Sequence, residues 1–401
     1  MLALRCDRSK TASPASPASI DSQSSMYTLI GAKKTLGLPV PAFAATIIFA
    51  NLEEKNMKKL ITAALAGACL AATALSAMAE PVRLKMGSTY PSSLTQLGTL
   101  GKALETNINA ASGGDIQLKF FEPGALVPAL EVFDALKSGA LDAGWSTPGY
   151  WQGKEPALAL FSAVPFGPPG PEYAAWLFYG GGEAMMQEIY HKHNIHSLIC
   201  GVIAPEASGW FREEITSLEQ LKGKKMRFFG LGAKVMQKLG VDTQLLAAAD
   251  IYPALERGTI DATEFSQPAI DLNLGFYQVA KHYYFPGWHQ QSTTFELMFN
   301  KAKWDAMNEQ QQALVTQVCR SNFAMGMAEG EAIQGKALAE LESKGVTIHR
   351  WPQEILDVFE STWNEVAAEQ AAADASFKQA WDSLQAFRAE YKRWGELGYL
   401  K

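Results

Sequence analysis

Cysteine is scarce in this sequence. There are four in 401 residues, and Cys6 and Cys69 both fall before residue 80. The remaining pair, Cys200 and Cys319, could join in an oxidising compartment, but two cysteines are weak evidence and a pair of buried thiols is the plainer expectation. A basic excess is also missing. The formal net charge is -6, which argues against nucleic acid as a partner but not against a small anion held by the local field of a pocket. No long apolar run follows Glu80, so nothing beyond it reads as a membrane span. There is no G-x-S-x-G, no H-E-x-x-H and no C-x-x-C, and with them go the common signatures of serine hydrolases, zinc proteases and dithiol chemistry.

What is present begins at the N-terminus. From Met57 the chain has a short basic stretch (Lys58, Lys59), an apolar run from Leu60 to Leu75, and Ala77-Met78-Ala79 before Glu80. This is the three-part pattern of a secretory signal peptide, expected over 57–79. Residues 1–56 are rich in Ser, Ala and Pro and precede a signal that needs a free start. They are expected to be a non-native or disordered leader, with translation starting at Met57. Residues 1–79 carry eight basic and four acidic residues, so the exported chain has a net charge of -10.

Strands and helices then alternate, which argues an α/β fold. Val82–Ser88 and Ile116–Phe121 read as strands around a helix at Ser92–Ala110. Further strands are expected at Ile195–Ile203, Lys225–Phe229, Tyr283–Pro286 and Thr294–Phe299. From Lys303 on, Trp304–Glu342 and Pro352–Leu397 read as helices, broken near Gly345–Pro352. One unit recurs. Val132–Ala143 and Ile251–Ala262 share Ala, Leu, Gly, Asp and Ala in place. Each predicts a helix stopped by glycine that feeds a short strand whose end can face a cleft, and two copies suggest two similar α/β halves.

Several residues invite a chemical reading. Gly230-Leu231-Gly232 opens a helix after a strand, but Val235 replaces the third small residue of a dinucleotide fingerprint; a tight turn is the simpler account. His191 and His193 would point about 200° apart on a helix, and with His196 they suggest a solvated helix end rather than a metal site. Arg227 stands inside an apolar strand just before the glycine turn. There it can fork two hydrogen bonds to a carboxylate, or serve an internal ion pair. Glu264 and Phe265 close the second repeat, and Glu206, Ser208 and Trp210 sit in a Pro-Glu-Ala-Ser-Gly-Trp-Phe segment. Tyr150, Trp151, Trp288 and His289 are aromatic candidates for a small-ligand pocket.

The signal peptide, Leu221–Arg227, Leu255–Glu264 and Tyr284–Trp288 occur in that order. The chain resembles the DctP-family solute-binding proteins of TRAP (tripartite ATP-independent periplasmic) transporters across the whole region from about Glu80, and most of all those that bind 2-oxo acids and related monocarboxylates. The resemblance implies two α/β domains that close by a hinge around a cleft, with a helical C-terminal tail. The expected division is 80–203 with about 293–332, then 204–292 with about 333–375, then a terminal helix over 376–401. It implies that Arg227 holds a ligand carboxylate; with the aromatic candidates, the residues expected beside the ligand are Glu206, Tyr150, Trp151, Phe265 and Trp288. A metal ion, calcium or sodium, would bridge to the ligand through Glu264, the Phe265 carbonyl and Glu206. Glu206 and Phe265 stand where the 2-oxo acid group has Gln and Trp. No organic cofactor is implied. The implied partners are a small carboxylate, the small and large TRAP membrane subunits, and a second copy of the chain docked through its terminal helix. The implied location is the periplasm, and no catalysis is expected. The alternatives are a periplasmic sensor of the same ligand and an enzyme using the same cleft.

Overall fold

Alternating burial along Val82–Ser88 (β1) places Leu84 and Met86 in a core, and the same period holds in Ile116–Phe121 (β2). The computed structural model describes residues 80–400; the signal peptide expected at 57–79 and the leader 1–56 lie outside them. Between β1 and β2 runs Thr99–Ala111 (α1). Its start is later than the expected Ser92 because Gln96, with φ of 54°, turns the chain first and its buried side chain donates to the Gly326 carbonyl. The first repeat follows as Val132–Ser138 (α2), Gly139 in the left-handed region, and Ala143–Ser146 (β3).

Two helices, Gly170–Tyr179 (α3) and Gly182–His191 (α4), lead into Ile195–Ile203 (β4). The chain then crosses to a second sheet with Gly209–Phe211 (β5), Lys225–Arg227 (β6), Gly230–Lys238 (α5) and Asp242–Gln244 (β7). The second repeat is Ala248–Glu256 (α6), Gly258 with φ of 71°, and Ala262–Thr263 (β8). Pro268–Leu274 (α7) and His282–Phe285 (β9) precede the return crossing to Thr293–Asn300 (β10). Helices Lys301–Asp305 (α8) and the 35-residue Glu309–Ser343 (α9) come next, then Thr347–Arg350 (β11), Gln353–Ala373 (α10) and Ala375–Gly398 (α11).

The first sheet has the order β2-β1-β3-β10-β4 and the second β11-β9-β5-β8-β6-β7. In the first, β1 runs parallel to β2 and β3; in the second, β6 runs parallel to β7 and β8. The two repeats therefore occupy matching places. They also use the same device: Asp142 Oδ2 accepts from the Lys85 N–H at 3.0 Å, and Asp261 Oδ2 from the Lys225 N–H at 2.8 Å. Each aspartate satisfies a backbone donor of its neighbouring parallel strand. The long α9 packs on β4 and α1 of the first half and on α7 of the second, bracing both.

Some expectations are corrected. Cys200 and Cys319 form a disulfide between β4 and α9 rather than remaining thiols. The helix expected over Trp304–Glu342 breaks at Asn308, whose side chain and Gln311 form a reciprocal cap. The helix expected over Pro352–Leu397 breaks at Asp374, which caps Phe377 N–H at 2.6 Å. The segment Gly345–Pro352 is a strand in part, because β11 pairs with β9. Of the three histidines only His191 is an exposed helix end; His193 meets Glu155 at 2.5 Å and His196 stacks on Trp304 at 4.1 Å.

Candidate functional site

Parallel strands present their carboxyl ends to one crevice, where an α/β fold places ligands. Here four such ends converge. Tyr90 follows β1, Thr147 and Tyr150 follow β3, Arg227 closes β6 with Phe229 just after it, and Phe265 and Ser266 follow β8. All line one cavity, which Leu97, Glu206, Gln290, Thr293 and Phe295 complete. The cavity is small, about 20 Å³, room for one or a few water-sized groups. Its rim is closed from both halves: Thr95 N–H donates to Asn273 Oδ1 at 3.3 Å, and Gln267 hydrogen-bonds Gln96.

Arg227 is 1 % exposed. Its Nη1 donates to Glu264 Oε2 at 2.9 Å and to the Glu264 carbonyl at 2.8 Å, and its Nε reaches the Leu246 carbonyl at 3.4 Å. The face of its guanidinium lies 5.0 Å from the Phe265 ring. No acceptor among the described residues takes Nη2, which leaves that edge of the fork for a ligand. The two sequence readings of Arg227, ion pair and cavity cation, are both present in the structure.

The two crossings between the sheets supply the rest. Glu206 lies on the first, His289 and Gln290 lie on the second, and Thr293 opens β10 at its end. Glu206 Oε1 accepts from Gln290 Nε2 at 3.1 Å and Thr293 Oγ1 at 2.9 Å, and the backbones join through Glu206 N–H to the Gln290 carbonyl at 3.1 Å. Gly287 permits this approach, since a Cβ there would sit 2.2 Å from the Glu206 carbonyl oxygen. Gly232 does the same for His289, whose Cβ would lie 2.8 Å from an added methyl. The glycine pair that resembled a dinucleotide turn thus makes room for a histidine.

Glu206, Glu264 and His289 bring one ligating atom each within 4.8 Å of one another, all buried. Burial, and then the nearby Glu264 carboxylate, push the Glu206 carboxyl well above the usual range. Burial would raise Glu264 too, but Arg227, and then His289 and the Phe229 N–H, hold it below. Two carboxyls so differently placed cannot both stay ionised beside a monoanion without a further cation or proton. Glu206 Oε2, Glu264 Oε1 and both ring nitrogens of His289 are buried without a hydrogen-bond partner among the described residues. That donor set fits a metal ion.

Of the residues expected beside a ligand, Arg227, Glu206, Tyr150 and Phe265 line the cavity. Trp151 and Trp288 are placed elsewhere. Trp151 turns into the first half, where Nε1 donates to Glu296 at 2.8 Å. Trp288 stacks on Phe359 at 4.6 Å and Phe166 at 5.8 Å. In both cases a large ring fills helix-packing space that a small cavity cannot offer. Tyr90, Thr147, Ser266, Gln290 and Thr293 were missed. Their signal was position, directly after a parallel strand or on a crossing, rather than residue type.

Comparison with known proteins agrees with this geometry. Residues 86–374 match the family model described as bacterial extracellular solute-binding protein, family 7 (DctP). A monocarboxylate 2-oxoacid-binding periplasmic protein of Nostoc sp. is 36% identical over 321 residues, covering 80% of this chain and 87% of that protein. A TRAP transporter solute-binding protein from Bordetella bronchiseptica, a dimer with calcium and picolinate bound, superposes with a TM-score of 0.77 at 32% identity, covering 79% of this chain and 94% of that one. A TRAP periplasmic solute-binding protein from Pseudoalteromonas atlantica, with sodium and pyruvate bound, gives 0.76 at 30% identity, covering 80% and 100%. Among the described residues no helix is long and apolar enough to cross a membrane. With two α/β halves, a closed cavity between them and a buried arginine at its wall, the chain belongs to the DctP family of TRAP-transporter solute-binding proteins.

Proposed function

We propose that this protein captures a small monocarboxylate, a 2-oxo acid of the size of pyruvate, in the periplasm and delivers it to the small and large TRAP membrane subunits. The observation that carries the reading is the buried Arg227, with Nη2 unclaimed by protein, at the wall of a cavity of about 20 Å³. Removing a carboxylate from water costs several kcal/mol, and a pre-oriented guanidinium offsets this with charge-assisted bonds. The small volume favours short acids over sugar acids. Tyr90, Tyr150, Phe229 and Phe295 give the non-carboxylate end an aromatic lining. A bound ion would sit between Glu264, Glu206 and the two oxygens of the acid, with the Phe265 carbonyl in reach by sequence. It would supply positive charge and fix the ligand's orientation. Pyruvate and picolinate in the relatives each place a carboxylate beside a second donor atom suited to chelation.

The same reading assigns 57–79 as the export signal. It divides the described chain into two lobes built on the two sheets, 80–203 with about 293–332 and 204–292 with about 333–375, followed by the terminal helix. A homodimer through that helix is part of the proposal, in line with the Bordetella dimer. Calorimetry with pyruvate, 2-oxobutyrate and glucuronate, before and after chelation, tests it. Saturable binding of the short 2-oxo acids without turnover is expected. Binding of glucuronate alone, or consumption of the acid, would overturn the assignment.

A further inference from the structure

We propose that His289 is a metal ligand, and that with Glu206 and Glu264 it makes a site for a divalent ion of the zinc and cobalt class in preference to sodium or calcium. The inference rests on the reading that an ion bridges protein and carboxylate. His289 Nε2 lies 3.5 Å from Glu264 Oε1 and 3.9 Å from Glu206 Oε2, and all three residues are at most 3 % exposed. None of these three atoms has a hydrogen-bond partner among the described residues. Two donors that share an ion at about 2.1 Å each can stand up to about 4.2 Å apart, so both nitrogen–oxygen separations suit one ion, and all three ligating atoms lie within 4.8 Å of one another. A buried polar atom left unpaired carries its full desolvation penalty. Three so close together can be satisfied by one cation that takes two carboxylate oxygens and an imidazole lone pair.

The histidine is held in place for this. The Phe228 ring meets it edge-on at 5.0 Å and the Trp288 ring at 5.5 Å. Gly232 leaves no side chain between α5 and the imidazole, since even a methyl there would collide with His289 Cβ. Donor type then decides the metal. Sodium and calcium favour sites built from oxygen alone, whereas imidazole nitrogen raises affinity for zinc, cobalt and nickel. Charge agrees. Arg227, two ionised glutamates and a bound monoanion sum to -2, which a divalent ion cancels and a sodium ion leaves at -1 in a buried site.

The exported protein, stripped with chelator and desalted, is titrated by calorimetry with Zn²⁺, Co²⁺, Ca²⁺ and Na⁺ in the presence of pyruvate. Zn²⁺ and Co²⁺ are expected to bind at least about ten-fold more tightly than Ca²⁺. The Co²⁺ form should show a visible d–d spectrum and the ¹¹³Cd resonance should report nitrogen ligation. His289→Gln should reduce the Zn²⁺-to-Ca²⁺ preference about ten-fold. The wild-type cadmium spectrum needs no variant, so a poorly folded His289→Gln leaves the test intact. Equal Zn²⁺ and Ca²⁺ affinities, or an all-oxygen cadmium signal, with pyruvate still bound, overturn the histidine ligand and leave the carboxylate function standing. Failure of pyruvate and 2-oxobutyrate to bind with any of the four ions overturns the functional reading and this inference with it.

Discussion

Arg227 and Glu264, consecutive in neither sequence nor strand, are joined three times: Nη1 donates to the Glu264 side chain at 2.9 Å and to its carbonyl at 2.8 Å, and the Glu264 N–H donates to the Arg227 carbonyl at 3.0 Å. The pairing follows from parallel β6 and β8, whose registered ends place Arg227 opposite Thr263 and so beside the residue that follows. A buried pair of this kind contributes little net stability, because desolvation cancels much of the attraction. Its effect is geometric. Glu264 fixes one nitrogen of the guanidinium and the Phe265 ring covers a face, which leaves a single edge to meet a ligand.

Replacing that edge should be costly. Arg227→Lys retains the charge and can still pair with Glu264, but an ammonium cannot reproduce the planar fork. Loss of about 1.5–3 kcal/mol of carboxylate affinity is expected, the range for hydrogen bonds to charged groups. Calorimetry with pyruvate on the folded variant measures it. Unaltered affinity would remove Arg227 from the ligand contact.

The Cys200–Cys319 disulfide closes a loop of 119 residues between β4 and α9. Chain-entropy reasoning gives such a loop about 4–5 kcal/mol of stabilisation through the unfolded state. The Cys200→Ala/Cys319→Ala double variant should unfold at distinctly lower denaturant, and both cysteines lie outside the cavity lining, so ligand affinity should hold. Equal denaturation midpoints for wild type and variant would show that the bridge does not restrain the unfolded chain.

Much of the fold was legible because its periods are strong. Val82–Ser88, Ile116–Phe121 and Ile195–Ile203 were read with the boundaries the structure has. The repeat was legible because Gly139 and Gly258 both need positive φ. The short strands β5, β7 and β11 were not, since three or four residues carry no period and owe their state to neighbours. In the site, Arg227 stood out as a charge in an apolar strand and Glu264 as the residue that closes the repeat. Tyr90 and Thr147 did not, because only topology tells that their strands end at the same crevice. Trp151 and Trp288 misled because aromatic residues serve cores and pockets alike.

Glu296 predicts a pH dependence. It is buried on β10 and accepts hydrogen bonds from Trp151 Nε1 and Tyr190 Oη at 2.8 Å and Ser197 Oγ at 2.6 Å. Burial outweighs these and raises its pKa to about 7. Unfolded, the same carboxyl titrates near 4.3. Below that pH both states are protonated and no penalty arises. As pH rises, the unfolded state ionises first, so stability falls until pH passes about 7, by roughly 4 kcal/mol in total. Glu296→Gln should flatten that fall between pH 5 and 8 in urea melts. A variant that keeps the wild-type slope would assign the dependence elsewhere.

The terminal helix separates stability from assembly. Along α11 the inner positions Phe377, Ala380 and Leu384 are at most 1 % exposed, and Trp381 meets the Trp363 ring at 5.4 Å. Beyond Phe387 the stripe leaves the core: Trp394 is 59 % exposed and Leu397 75 %. Large apolar side chains seldom stand so open in a cluster unless a partner covers them. A second copy of the chain is the partner proposed here, and the two ends of the helix should then respond differently. Phe377→Ala should cost about 3–5 kcal/mol of stability, as an emptied core site does. Trp394→Glu with Leu397→Glu should leave the melting temperature within a few degrees, since exposed substitutions change stability little, while sedimentation at micromolar concentration shifts from dimer to monomer. Deleting Asp374–Lys401 would confound the two effects, because it strips Phe377 and Leu384 from the core as well. Wild-type protein that sediments as a monomer, or a double variant that remains dimeric, would exclude the helix end as the contact.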